Sequence, residues 1–452
     1  MTLLSFARIL CFLGATLMLP MAWAALPIEH WTQPNGVQVY LVQSHSLPMV
    51  DVQIDFDAGS RRDPADKAGL AGATAATVSR GIRRNGDLPS MGQRELNEAW
   101  ADLGAVFGAS AGNDRMEFFL RTLTDPDLLA RVLALAARQI GEPSFQPAAW
   151  ARERELRIAS LRESYTRPAA VAARAFAAAV YREHPYGRET TEASLANITD
   201  SDMYALYDRY ILPCLAKVSV VGAVTRAQTE RLVSSLFVHL DAAHGRKECP
   251  VLPPVPEVVP LAQSTAQQSI PFDSAQAHVL IGQPGIRRND PDFLALTVGN
   301  YVLGGGGFVS RLMSQVREKR GLSYSVYSYF APGLHAGAFT VGLQTRPDQA
   351  VQAVALTQEV VAQFVREGPS AQELQAAKAN LIGGFALRFD SNRKLLDNVS
   401  NIAWNGLPLD YLDTWTAAVE RLSVADVKAA FERVLRPQAM VTVVVGGRDK
   451  AP

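Results

Sequence analysis

Apolar and polar positions alternate near the start of the chain. Val37, Val39 and Leu41 interleave with Gln38, Tyr40 and Val42, and a second alternating run extends from Val50 to Phe56. A period of two predicts strands that turn one face to a core. Asn35-Gly36 stands just ahead of the first run, a pair that favours the tight turn of a hairpin. Apolar periodicity and flanking turn residues then predict helices at about 66–80, 92–103, 125–141 and 147–165. Sheets built from such hairpins are mainly antiparallel, with helices stacked on one face, which is an α+β arrangement.

The pattern occurs twice. Ile198, Asp202, Tyr207, Arg209, Pro213, Val220 and Gly222 are matched 224 residues later by Leu422, Asp426, Phe431, Arg433, Pro437, Val444 and Gly446. Each copy is a helix, a proline stop and a β-branched run that ends in glycine. Thr199-Asp200-Ser201-Asp202 and Ser423-Val424-Ala425-Asp426 supply the helix starts. Repetition of a whole helix–stop–strand unit is the mark of an internal duplication. Between the copies, Pro250, Pro253, Pro254, Pro256 and Pro260 crowd one stretch, as in an extended, semi-rigid linker. The expected organisation is a first domain over 25–245, a linker over 246–264 and a second, homologous domain over 265–450.

Composition narrows the class. A chain of 452 residues, 48% of them hydrophobic, has material for more than one core. Forty-four basic and 44 acidic residues give zero formal charge, so nothing points to nucleic acid or an anionic membrane as partner. The first 24 residues read as a secretory leader. Arg8 closes a short n-region, Ile9 to Leu19 is apolar, and Ala22-Trp23-Ala24 supplies small residues for cleavage before Ala25. The leader is short for a membrane span, and no later run reaches about 20 apolar residues. A periplasmic or secreted protein is expected, with no membrane span once the leader is removed. Cys11 leaves with the leader; Cys214 and Cys249 either pair in an oxidising compartment or stay as buried thiols.

Specific strings carry a resemblance. They are Asn35-Gly36, Leu47-Pro48, Ala58-Gly59-Ser60, Lys67-Ala68-Gly69-Leu70-Ala71 and His184-Pro185-Tyr186-Gly187 in the first half. The second half adds Leu303-Gly304-Gly305-Gly306-Gly307, Ser310-Arg311-Leu312 and Arg317-Glu318-Lys319-Arg320-Gly321-Leu322-Ser323-Tyr324. Together they resemble the pitrilysin/insulinase family of zinc peptidases, above all its short two-domain members. That group includes the mitochondrial processing peptidase subunits and bacterial heterodimeric peptidases.

The resemblance implies a zinc site that this chain does not complete. The family uses H-x-x-E-H on a helix, where two histidines a turn apart bind zinc and the glutamate acts as general base. The corresponding positions here hold Gly72, Ala75 and Ala76, which have no side-chain donor or acceptor. The seven histidines have no rescuing spacing and read as scattered surface or loop residues. The family's later glutamate ligand aligns with Ala159 or Ser160. Glu153, Glu155 and Glu163 lie within a turn or two and are otherwise solvated charges of an Arg-Glu-Arg-Glu run.

The second half keeps what the family uses from that side. An arginine and a tyrosine seven residues later point into the zinc site of another domain; they match Arg317 and Tyr324. Both are hydrogen-bond donors suited to the charge that develops on a carbonyl under attack. Without the family context they read as a charged helix end and a strand residue. Gly304, Gly305, Gly306 and Gly307 either turn the chain or help handle substrate, as a glycine-rich loop does in the non-catalytic processing-peptidase subunit. The expectation is a non-catalytic subunit that binds no metal and donates Arg317 and Tyr324 to a zinc-binding H-x-x-E-H partner, around an unfolded peptide. The alternatives are a peptide-binding or scaffold protein of the same fold, or a lone zinc peptidase with displaced ligands.

Overall fold

A computed structural model describes residues 27–244, 249–262 and 267–447. The expected leader and its expected cleavage point before Ala25 lie outside the described residues, as does part of the expected linker.

The alternating runs become β1 (Glu29–Thr32), β2 (Gln38–Gln43) and β3 (Met49–Phe56). Asn35-Gly36 closes the β1–β2 hairpin, with Gly36 at φ +88°. β4 (Gly81–Ile82) and β5 (Met91–Gly92) pair as a small ribbon. β6 (Val106–Ala111), β7 (Met116–Leu123) and β8 (Lys217–Gly222) complete a first sheet of order β1-β2-β8-β3-β7-β6. All its pairings are antiparallel except β2 with β8. The helices of this half are α1 (Leu70–Val78), α2 (Gln93–Asp102), α3 (Pro126–Gly141), α4 (Pro147–Tyr165), α5 (Pro168–Tyr181), α6 (Glu192–Asn197), α7 (Asp200–Tyr210) and α8 (Arg226–His244).

The second half repeats the design. β9 (Gln267–Ile270), β10 (Ala277–Pro284), β11 (Ser325–Phe330), β12 (Ala338–Thr345) and β13 (Val441–Val445) form a sheet of order β11-β12-β10-β13-β9. Only β13 and β9 run parallel. Its helices are α9 (Phe293–Asn300), α10 (Ala350–Glu367), α11 (Ala371–Gly383), α12 (Asn392–Asn405), α13 (Tyr411–Arg421) and α14 (Val424–Val434). The duplication is therefore structural. α7 and α14 begin 224 residues apart, at Asp200 and Val424, as do β8 and β13, at Lys217 and Val441. Both helices open with a reciprocal cap, Thr199 with Asp202 and Ser423 with Asp426.

Each sheet buries one face under helices of its own half. Val52, Ile54, Phe118 and Val220 meet Val132, Leu206 and Phe237 in the first core; Ile281, Val341 and Leu343 meet Leu296, Val361 and Phe431 in the second. The other faces are not bare, a feature that the expectation of helices on one face lacks. α5 crosses to the second sheet, where Ala172, Phe176 and Val180 pack on Ala338, Val441, Val443 and Val445. α12 crosses back, and Leu395, Leu396, Val399 and Ile402 pack on Tyr40, Val42 and Val221 of the first sheet. Lys217 closes this exchange by donating to the carbonyl of Ala403 at 2.7 Å, near the helix C-terminus where a cation is favoured. Two exchanged helices make the halves one body, because neither sheet is covered without the other half.

Cys214 and Cys249 are paired, with Cα atoms 5.8 Å apart. The bond fixes the start of the proline-rich stretch beside the end of α7. No described helix is long and apolar enough to cross a membrane.

Candidate functional site

Helix α1 carries the vacated motif. It starts where Gly69, at φ +102°, lets the chain turn, and the Asp63 carboxylate accepts from the amides of Gly69 and Ala71 at 2.9 Å each. Such an acceptor answers the unpaired donors of a helix start. Most of α1 is buried, with Ala75 at 1% exposure; Gly72 and Ala76 are the half-exposed exceptions. Positions four apart lie in one row, so Gly72 and Ala76 face the same way, and Arg80 follows in the turn just past the helix end.

That row faces α4. Glu153 is buried on α4, and its carboxylate takes two guanidinium groups, Arg80 at 2.8 Å and Arg157 at 3.1 Å. Arg157 also donates to the Gly72 carbonyl oxygen at 3.0 Å. A Cβ built on Gly72 would stand 3.5 Å from Nη1 of Arg157. The cleft between α1 and α4 is thus filled by an Arg80–Glu153–Arg157 triad.

This arrangement does not fit a zinc ion. Positions 72, 75 and 76 offer no donor, a guanidinium is the neighbour of the first of them, and no three His, Cys, Asp or Glu side chains converge to hold a metal among the described residues. The candidate positions for the later glutamate all lie on α4. Ala159 and Ser160 are exposed, as are Glu155 and Glu163, whereas Glu153 is the carboxylate that looks at α1. Glu153 is not a solvated charge. Its i,i+4 partner Arg157 and the approach of Arg80 across the helix pair bury it.

In the second half, the glycine run follows α9 through a wide, π-type turn over Tyr301–Gly305. Gly304 is required by packing, since a Cβ there would lie 2.4 Å from Oγ of Ser328 on β11. Gly305 and Gly306 approach Asn300 and Tyr301 in the same manner. Gly307, at φ +61°, releases the chain to the surface, where Phe308 is 63% exposed. The run is therefore mainly a packing device with an apolar tip at Phe308 and Val309.

A second π-type turn, Met313–Glu318, presents Arg317. Its guanidinium lies 4.7 Å from the centre of the Phe308 ring and has no ion-pair partner among the described residues. Wide turns of this kind are frequent at functional sites. Tyr324 is 79% exposed, one residue before the edge strand β11. Tyr327 and Tyr329 follow on the same strand, exposed and stacked with ring centres 6.1 Å apart. Partial desolvation against the sheet, then the neighbouring Tyr329, raise the Tyr327 hydroxyl above its ordinary range. This aromatic row escaped the sequence reading, although its period of two at 327 and 329 is a strand signal.

Two histidines also depart from the scattered reading. His184 and His335 are both buried, with ring centres 5.2 Å apart, where the two halves and the linker meet. Nε2 of His184 lies 2.9 Å from the Pro256 carbonyl and Nδ1 of His335 lies 3.0 Å from Glu257. Tyr186 and Asp114 join them, through the amides of His335 and Leu334 at 3.3 and 3.0 Å. Burial, then the adjacent His335, pull His184 below its ordinary pKa. The cluster is an interdomain joint. It stayed hidden because its members are far apart in the chain and only the folded halves bring them together.

The chain is similar to known proteins over most of its length. Residues 38–194 match the sequence model of the insulinase family, peptidase family M16, and residues 197–381 match that of the peptidase M16 inactive domain. The crystal structure of a peptidase M16 inactive domain from Pseudomonas fluorescens superposes with a TM-score of 0.85 at 31% identity, covering 93% of this chain and 98% of that one. An uncharacterised zinc protease of Streptomyces coelicolor is 28% identical over 279 residues, 61% of this chain and 60% of that protein. The non-peptidase homolog YmxG of Helicobacter pylori is 32% identical over 182 residues, 39% of this chain and 41% of that protein. The chain thus spans less than two thirds of the length of these two relatives.

Proposed function

The chain belongs to the insulinase family, peptidase family M16, and on that footing we propose that it is the non-catalytic subunit of an exported, heterodimeric zinc peptidase. One contrast carries the reading. The motif helix has no metal donor and its cleft is occupied by its own charges, while among the described residues Arg317 touches the Phe308 ring and has no carboxylate partner, and Tyr324 stands exposed at the surface. A half-exposed guanidinium and an exposed phenol beside an edge strand suit a surface that another molecule completes.

The partner would carry H-x-x-E-H and hold the zinc, which polarises the scissile carbonyl and its attacking water. This chain would supply two donors to the same carbonyl oxygen, a guanidinium and a phenol, whose hydrogen bonds strengthen as negative charge builds there. The Phe308 ring under Arg317 would hold the guanidinium in place. The Cys214–Cys249 pair supports export, because disulfides persist in oxidising compartments.

Co-purification of the mature chain from its source, followed by mass spectrometry, tests the partnership. The expected result is an exported H-x-x-E-H homologue in a stable complex, since a closed chamber needs an interface of roughly 1,600 Å² or more. The isolated chain should leave unstructured peptides intact and the reconstituted pair should cleave them. Full activity of the partner alone, with two independent peaks in sizing chromatography, would favour a scaffold or peptide-binding role.

A further inference from the structure

We propose that Arg157 is a resident cation standing in for a metal ion in the first half, and that it closes the α1–α4 cleft to metals independently of the missing ligands. The inference concerns the isolated chain and does not depend on a partner subunit.

Three observations carry it. Glu153 is a buried carboxylate on the side of α4 that meets α1. A carboxylate so placed requires a positive group beside it, and each of its oxygens has one: Arg157 on Oε1 at 3.1 Å and Arg80 on Oε2 at 2.8 Å. The guanidinium of Arg157 then reaches the first motif position itself, at the Gly72 carbonyl. Finally, a side chain at position 72 would begin in contact with this guanidinium, its Cβ 3.5 Å from Nη1. A divalent ion between position 72 and Glu153 would therefore meet a positive charge already held there. The absence of ligands on α1 and the presence of Arg157 on α4 thus each close the cleft to a metal.

The corollary is a latent site. Histidines at 72 and 76 would lie one turn apart on the half-exposed row, and Glu153 would supply an oxygen once Arg157 is gone, giving an N,N,O donor set suited to Zn²⁺ or Co²⁺.

The test uses Co²⁺ as probe, read by the visible absorption of the bound ion, and zinc content after dialysis. Four variants of the mature chain are compared. Gly72→His/Ala76→His should hold no stoichiometric metal. Adding Arg157→Ala should give about one equivalent per chain, the count of a single site. Arg157→Met in the same background serves as a second version that keeps the packing of the side-chain stem. Adding Glu153→Gln to whichever of these is folded should abolish the binding. Equal binding with Arg157 present overturns the proposal, as does absence of binding in a folded variant that lacks it. Undiminished binding after Glu153→Gln overturns the assignment of the carboxylate. Failure of the chain to pair with a zinc peptidase would leave all these outcomes readable.

Discussion

The α1–α4 cleft of the first half and the 304–324 segment of the second have taken opposite courses. In the first, every charge is spent internally: Glu153 faces Arg80 and Arg157, and Arg157 also holds the Gly72 carbonyl. In the second, Arg317 rests on Phe308 without a counter-ion among the described residues, and Tyr324 is 79% exposed. Groups that satisfy one another stabilise the fold and do little else. Groups left unsatisfied at a surface contribute little to stability and are available to another molecule. The duplication makes the contrast sharper, because α7 and α14 match in length and caps, and β8 and β13 begin at the same spacing from them, while these surfaces differ. Substitutions in the two regions should therefore move different observables.

The largest effect belongs to the open region and to activity. In the reconstituted pair, Tyr324→Phe keeps the ring and removes only the hydroxyl. Loss of one donor aimed at a developing oxyanion typically costs about 3–4 kcal/mol, or roughly 10²–10³ in turnover. The same change should leave the urea midpoint of the isolated chain within about 0.5 kcal/mol of the parent, as expected for an exposed position. A variant that assembles normally and turns over at the parental rate removes Tyr324 from the mechanism. A variant that loses stability instead reverses the contrast between the regions.

Next in size is the closed region, where stability should respond and turnover should not. Glu153→Ala leaves two half-buried guanidinium groups facing each other. An uncompensated buried polar group costs about 1–3 kcal/mol, and the partial exposure of both arginines places the loss in that range. Chemical denaturation measures it. An unchanged midpoint would show that the triad is a surface feature, and the filled-cleft picture would fail.

Gly304→Ala probes the boundary between packing and function. The added methyl would lie 2.4 Å from Oγ and 2.6 Å from the amide nitrogen of Ser328, so β11 has to shift. Overpacking of this kind costs typically about 1–3 kcal/mol. Because β11 follows Tyr324 directly, turnover of the pair should fall with stability here, unlike either preceding variant. A stable Gly304→Ala chain would mean that the glycine run serves a contact other than packing.

Much of this was legible in the sequence, for a physical reason in each case. The duplication was visible because capping, proline stops and β-branched runs are local signals. The empty motif was visible because alanine and glycine have no donor whatever the fold. The filling of the cleft was not. Glu153 and Arg157 read as members of a charged run, and only the packing of α4 on α1 separates them from Glu155 and Glu163, which stay exposed. The exchange of α5 and α12 was hidden for the same reason: an apolar helix face does not say which sheet it will cover. His184 and His335 meet only after that exchange is complete.

The smallest effect compares two arginines of the same half, six positions apart. Arg311 is committed: it grips both oxygens of Glu373 at 2.7 Å each and donates to the Gly368 carbonyl at 3.0 Å. Arg317 is not committed to any carboxylate among the described residues. The commitment leaves a trace in acid. Hydrogen bonds from Arg311, against some desolvation, lower the Glu373 carboxyl to about 2, and the cap at Ser370 adds to this. A carboxyl whose folded pKa is depressed gives stability that is fully present above its unfolded value near 4.5 and is lost as pH falls toward 2. The pair is partly exposed, so solvent screening reduces the effect to below about 1 kcal/mol. Urea midpoints of the isolated chain between pH 6 and pH 3 should decline less steeply for Glu373→Gln than for the parent, the two curves converging at the acid end. Arg311→Lys should behave much like Glu373→Gln, because a lysine cannot hold both oxygens at once. Arg317→Lys should leave the acid slope of the isolated chain unaltered. A change of slope on substituting Arg317 would reveal an internal carboxylate partner for it, and the division between a spent and an available arginine would no longer hold.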